Sequence, residues 1–249
     1  MLSNITPDPS QSISPADRLA DVRVRIDRAC QSCDRPPAHV TLLAVSKTFP
    51  LEAVNALAAA GQRAFGENYA QEGVDKATAR PDLEWHFIGP IQSNKTRGIA
   101  EHFAWVHSID RLKIAERLSA QRPEHSPPLQ VCIQVNISQE PSKSGCAPEA
   151  ALELCRRVAA LPHVRLRGLM AIPEATHDKA AQRRYFGALR QLLADINAAD
   201  TTLKLDTLSM GMSDDLESAI AEGATLVRVG SAIFGQRTYP HHPAAPSES

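Results

Sequence analysis

The chain has little of what marks several large functional classes. Among its 249 residues Lys and Arg total 27 and Asp and Glu 28, giving a net charge of -1. The basic residues are spread along the sequence, so the concentrated positive face of a nucleic-acid binder is missing. No apolar run reaches the roughly 18–20 residues that span a bilayer. The opening MLSNITPDPSQSISP has neither the basic start nor the apolar core of an export signal. The expectation is a cytoplasmic protein with no membrane contact. Cysteines are few and odd in number: Cys30, Cys33, Cys132, Cys146 and Cys155. They are scattered through a chain long enough to bury a core without cross-links, which predicts reduced thiols. Cys30 and Cys33 form one CxxC at the end of a predicted helix, and no second pair completes a zinc site. No GxGxxG follows the first predicted strand, which removes the usual support for an open dinucleotide-binding sheet.

What is present is a regular alternation. Residues 1–13 and 238–249 are polar and proline-dotted and are expected to be a disordered arm and tail, with His241 and His242 solvated. One domain is expected over 14–237. It begins with a helix signalled by Ser14 as N-cap, Pro15 at the first helical position and Asp17 three residues after the cap, with Leu19, Val22, Ile26 and Ala29 on one face. Eight short apolar runs follow, at about 40–47, 63–66, 84–89, 104–108, 129–137, 164–170, 205–210 and 225–230. Amphipathic helical stretches separate them, clearest at Tyr185, Phe186, Leu189, Leu192, Leu193 and Ile196. Eight strands alternating with helices predict an α/β fold, a single (β/α)8 TIM barrel; an open doubly wound sheet is the alternative.

In such a barrel the chemistry collects at the C-terminal ends of the strands, with phosphate sites after strands seven and eight. Lys47 ends the run LLAVSK. A lysine amine titrates near 10.4 and becomes nucleophilic at neutral pH only where burial or a nearby cation disfavours its charge. The other reading of Lys47 is a rim lysine paired with Glu67. After strands seven and eight, Gly211 and Gly230 allow backbone to approach an anion closely, and Ser213 and Ser231 can bond phosphate oxygens. Ser213 could equally be a plain N-cap of a helix over 214–220, and Gly230 a plain turn. Arg228, flanked by Val227 and Val229, faces the opposite side from both. It needs a partner, either an aromatic ring nitrogen or an acid such as Asp206 or Glu67. A reactive amine facing a phosphate cup suggests pyridoxal 5'-phosphate.

The strings LLAVSKTFP, FGENYAQE, EWHFIGPIQSNK, VNISQEPSKSG, RGLMAIP, LSMGMSDDLESAI and VRVGSAIFG, in this order from about Asp17 to Arg237, resemble the pyridoxal phosphate homeostasis protein family. The resemblance implies a barrel of the alanine racemase N-terminal domain type, with Lys47 holding the cofactor as a Schiff base and Arg228 facing its ring nitrogen. It implies Ser209, Gly211, Ser213, Gly230 and Ser231 around the phosphate, and Asn68, His86 and Met170 near the cofactor. Lys143 falls in a family motif, as a second amine that serves cofactor transfer. The implied role is holding pyridoxal phosphate and supplying it to PLP-dependent apo-enzymes, as a monomer without robust turnover. A racemase needs a second base on the far face of its substrate, and none of Tyr69, Tyr185 and Tyr239 is an evident one. The alternatives are a low-activity racemase and a Schiff-base aldolase.

Overall fold

The computed structural model describes residues 14–140 and 143–235. The predicted arm over 1–13 and tail over 238–249, with His241 and His242, lie outside the described residues. The first helix, α1 (Pro15–Gln31), starts as its capping signal predicts. The Ser14 hydroxyl accepts from the Asp17 amide while the Asp17 carboxylate accepts from the Ser14 amide, both at 3.2 Å. Such a cap is worth about 1 kcal/mol.

The strands are β1 (Thr41–Val45), β2 (Ala64–Glu67), β3 (Glu84–Phe87), β4 (Trp105–Ile109), β5 (Leu129–Gln134), β6 (Val164–Met170), β7 (Thr207–Ser209) and β8 (Leu226–Val229). Each pairs in parallel with the next, and β8 pairs with β1 from Thr41↔Leu226 to Ala44↔Val229, closing the barrel. The helices between them are α2 (Leu51–Ala59), α3 (Ala70–Ala79), α4 (Thr96–His102), α5 (Leu112–Gln121), α6 (Ala151–Ala159), α7 (Lys179–Ala199), α8 (Leu216–Ala221) and α9 (Ser231–Phe234). Several strands are shorter than their apolar runs. β7 spans three residues of the expected six, and the chain turns beyond it at Gly211, whose φ is +94°. The run 40–47 overreaches as well: β1 stops at Val45, so Lys47 sits in the turn that follows.

Two cores result. The larger fills the space between barrel and helices and buries Phe65, Trp85, Phe87, Phe103 and Phe186, each worth roughly 2–3 kcal/mol relative to exposure. The smaller lies inside the barrel, where Leu43, Ala64 and Leu226 pack with Ile88. Polar groups share the interior with them. His107 on β4 bonds Ser209 on β7 at 2.7 Å, and since these strands are not neighbours the bond crosses the barrel. Helix α1 lies outside the closure against α2, α8 and α9. Its Arg18 Nε donates to the Ile233 carbonyl at 2.7 Å and its Arg25 Nη2 to the Ser213 carbonyl at 2.9 Å, tying the N-terminal helix to the loops after β7 and β8. Among the described residues no helix is long and apolar enough to cross a membrane.

β6 and β7 meet so closely that a Cβ on Gly168 would lie 1.8 Å from the Thr207 carbonyl oxygen. Gly168→Ala is therefore expected to destabilise the fold by about 3 kcal/mol, by forcing the ladder apart. A lowered urea midpoint checks this; an unchanged midpoint would mean that the strands separate freely there.

Candidate functional site

Lys47 occupies the first turn beyond β1, half-buried, between two residues that a buried ion cluster holds in place. On α3, the Lys76 ammonium donates to the Ser46 carbonyl at 2.8 Å, to Glu67 Oε1 at 2.8 Å and to Glu72 Oε1 at 2.7 Å. Those three bonds use all three of its protons. The Ser46 hydroxyl donates to Glu67 Oε1 at 2.6 Å, and the Thr48 amide donates to Glu72 Oε1 at 2.6 Å. Thr48 has φ +68°, a left-handed conformation that a β-branched residue adopts only under constraint. Both neighbours of Lys47 are thus pinned. Glu67 therefore belongs to Lys76 and Ser46, which replaces the rim pairing of Lys47 with Glu67 considered from the sequence. Burial pushes the Glu67 carboxyl above its usual range against the pull of Lys76. Its Oε2 is buried with no hydrogen-bond partner among the described residues.

The glycine and serine loops converge beside this turn. Phe49, after β1, stacks on Phe234 of α9 with ring centroids 4.8 Å apart. A Cβ on Gly230 would sit 3.3 Å from the Val45 carbonyl. The Ser231 hydroxyl donates to the Ser213 hydroxyl at 3.1 Å, and the Ala232 amide reaches the same oxygen at 3.4 Å. Ser213 does not cap α8, which starts at Leu216 after Asp215, whose carboxylate instead accepts from the Met212 amide at 2.6 Å. At Gly211, a Cβ would fall 2.5 Å from that of Ala219, so only glycine lets this loop lie against α8. The loops after β7 and β8 therefore present two touching hydroxyls at the mouth, with Lys47 one strand away.

Arg228 stands inside the barrel, 3% exposed. Nη1 donates to the Ser209 carbonyl at 2.7 Å and hydroxyl at 2.8 Å, and Nη2 to the Ala171 carbonyl at 3.0 Å. Neither acid named from the sequence pairs with it, since Asp206 takes Arg167 at 2.7 Å and Glu67 takes Lys76. Burial pushes the Arg228 guanidinium down to about 10, the charge of Asp215 opposing the fall. Its Nε–H and second Nη2–H are not used by these three bonds. Ser209 differs from its expected place among the phosphate groups, because its hydroxyl is committed to Arg228 and His107 inside the barrel. His86 is fully buried and bonds Glu84 and His107, so it stands behind Arg228 rather than at the mouth. Met170 is buried at the end of β6, in register with Ser209. Asn68 lines a cavity of about 220 Å³ with Ile88, Gln134 and Lys143. The Lys143 ammonium is held by the Pro173 carbonyl at 2.8 Å and Glu140 at 3.3 Å.

Sequence reasoning missed Lys76, Glu72 and His107. Glu72 and Lys76 read as an ordinary solvent-facing i,i+4 pair, and only the curl of α3 under the β1 loop buries the lysine. His107 had a weak signal, a polar residue at an alternate position of the strand WVHSI. Removing Lys76 leaves the buried Glu67 carboxylate uncompensated and the half-buried Glu72 without its partner, so Lys76→Met is expected to cost about 3–5 kcal/mol. Lys76→Met combined with Glu67→Leu should recover part of that in urea unfolding, whereas strict additivity would show that the two groups do not interact.

Residues 18–238 match the family model described as alanine racemase, N-terminal domain. The pyridoxal phosphate homeostasis protein of Pseudomonas aeruginosa is 62% identical over 226 residues, covering 90% of this chain and 96% of that protein. Among solved structures, PipY of Synechococcus elongatus with PLP bound superposes with a TM-score of 0.78 at 38% identity, over 89% of this chain and 100% of that one. Alanine racemase from Corynebacterium glutamicum shares the fold, with a TM-score of 0.64 at 18% identity, and this chain covers 62% of it. An eight-stranded closed barrel, a pinned lysine at its mouth and identities of this size lead to one assignment: the chain belongs to the pyridoxal phosphate homeostasis protein family, built on the alanine racemase N-terminal domain.

Proposed function

We propose that this protein binds pyridoxal 5'-phosphate through the Lys47 amine and serves intracellular cofactor homeostasis as a carrier without robust turnover. The observation that carries the reading is the convergence of Lys47, held by the Lys76 cluster, with the Ser213–Ser231 hydroxyl pair and the inward-facing Arg228. The groups fit the cofactor chemically. Ser213, Ser231 and the backbone freed by Gly211 and Gly230 suit a phosphate. Arg228 has donors left for a ring nitrogen. Bound pyridoxal phosphate supplies an aldehyde that condenses reversibly with a primary amine, releasing one water.

The protein's own groups favour holding over turnover. An arginine opposite the ring nitrogen donates a hydrogen bond but does not transfer a proton, which leaves the ring a weak electron sink. A racemase also needs a base on the far face. Among the described residues, Tyr185 donates to Glu174 at 3.3 Å and Tyr69 is 54% exposed at the start of α3. Neither is held over Lys47 by a partner. The exposed Tyr69, Ile172 and Met212 lie on loops at the same end of the barrel. A monomer in the cytoplasm, handing the cofactor to PLP-dependent apo-enzymes at this open end, is the reading these features favour.

Incubation with pyridoxal phosphate followed by borohydride reduction should leave one phosphopyridoxyl group on the wild type and none on Lys47→Ala, read by intact mass. Equal labelling of both proteins would move the anchor elsewhere, and no labelling of the wild type would reopen the aldolase reading. The double variant Ser213→Ala/Ser231→Ala should bind pyridoxal phosphate about tenfold more weakly by absorbance titration, the loss expected for charge-assisted bonds. In deuterated buffer, loaded wild type should exchange the α-proton of L- or D-alanine no faster than free cofactor. Clear exchange would make it an enzyme.

A further inference from the structure

Between Arg228 and the opposite end of the barrel runs a line of polar side chains that cofactor binding does not require. The Ser209 hydroxyl lies 2.7 Å from His107 Nδ1, His107 Nε2 lies 2.9 Å from His86 Nδ1, and His86 Nε2 lies 2.8 Å from Glu84 Oε1. Both imidazoles are fully buried, while the Glu84 side chain is 50% exposed at the N-terminal end of β3.

Counting protons sets the direction of every bond. A guanidinium only donates, so Ser209 Oγ accepts from Arg228 Nη1 at 2.8 Å. Its second lone pair leaves the next bond open from this end. The ionised Glu84 carboxylate only accepts, however, so neutral His86 donates from Nε2 and takes the His107 Nε2 proton on Nδ1. That leaves His107 Nδ1 a lone pair for the Ser209 hydroxyl proton. His107 accordingly bears its proton on Nε2 and gives it to His86 Nδ1. His86 in turn bears its proton on Nε2 and gives it to the Glu84 carboxylate. One pattern, two neutral Nε2–H imidazoles, satisfies all four bonds. Burial independently holds both histidines below their ordinary value, His107 the further, with the charge of Arg228 adding to its fall. Every donor points away from Arg228, so the negative charge of Glu84 draws each proton toward itself and leaves Ser209 Oγ a stronger acceptor for the guanidinium.

We propose that His107 is a positioning residue for Arg228, acting through Ser209, and that Glu84 and His86 complete a one-directional relay that fixes the guanidinium from the far end of the barrel. Apolar side chains fill another part of the same interior, where Leu43, Ala64 and Leu226 pack together. The relay instead supplies orientation, and it makes a half-exposed carboxylate at the base of the barrel a determinant of the ligand end. Its relevance to the cofactor rests on the carrier reading; its effect on Arg228 does not.

The test uses the full chain, first without cofactor. Long-range proton–nitrogen correlation spectra of the wild type should show His86 and His107 as Nε2–H tautomers. Glu84→Ala touches none of Arg228's own partners, yet the Arg228 Nη protons should exchange about fivefold faster in it, the equivalent of one weakened hydrogen bond. Glu84→Gln, which keeps an acceptor oxygen, should stay closer to wild type. With pyridoxal phosphate added, Glu84→Ala should bind about fivefold more weakly and show a displaced visible absorption maximum. A His107 Nδ1–H tautomer, or Arg228 exchange unchanged in Glu84→Ala, overturns the relay. If the wild type shows the tautomers and the exchange effect but takes up no cofactor, the relay stands and the carrier reading alone fails.

Discussion

A guanidinium enclosed in a barrel has to find hydrogen-bond acceptors among the strands around it, and much of this interior is arranged to meet that requirement. Arg228 takes two carbonyls and one hydroxyl. The carbonyls come from the ends of strands, and the hydroxyl from a position that a purely apolar barrel would have spent on packing. Ser209 ends β7 and Ala171 follows the neighbouring strand β6, so the guanidinium also links the two segments that flank the cofactor end. The cost of burial is visible in the fall of Arg228 to about 10. It is offset by fixed acceptors rather than by a direct carboxylate partner, which keeps donors available to a ligand.

The lysine end is organised by a different device. There the charge is buried beneath the loop and not in the barrel: Lys76 gathers two carboxylates and a carbonyl, and through them holds Ser46 and Thr48. A lysine whose three protons are occupied is a poor nucleophile, and the turn held by the same cluster carries Lys47, the amine we propose for the cofactor. The closure of β8 on β1 brings the two devices together. Lys47 follows β1 and the second serine follows β8, and the Phe49–Phe234 stack locks the two loops against each other.

Most of the architecture was legible in the sequence because it rests on local signals. Eight apolar runs separated by helical periodicity predict a barrel, and the Ser14–Asp17 box marks the first helix to the residue. The errors were errors of reach. Apolar runs continued past the strands, since residues leaving a barrel stay buried under the helices, as Val135 and Met210 do. Ser213 resembled a helix cap because its neighbours are helix formers, but the turn through Gly211 delays α8 to Leu216.

The sequence by itself determined the residue types available at each strand end, the spacing that puts Lys47, Ser213, Arg228 and Ser231 toward one end of a barrel, and the strings that mark the pyridoxal phosphate homeostasis protein family. Tertiary structure alone decided which polar groups meet. Glu67 turned to Lys76 rather than Lys47, Asp206 to Arg167 rather than Arg228, and Ser209 inward to His107 rather than outward to the mouth. The reason is physical. Alternation along a strand fixes which face a side chain occupies, but partners across a closed barrel come from strands some hundred residues apart, as His107 and Ser209 do with a separation of 102. Only closure brings them within hydrogen-bonding distance.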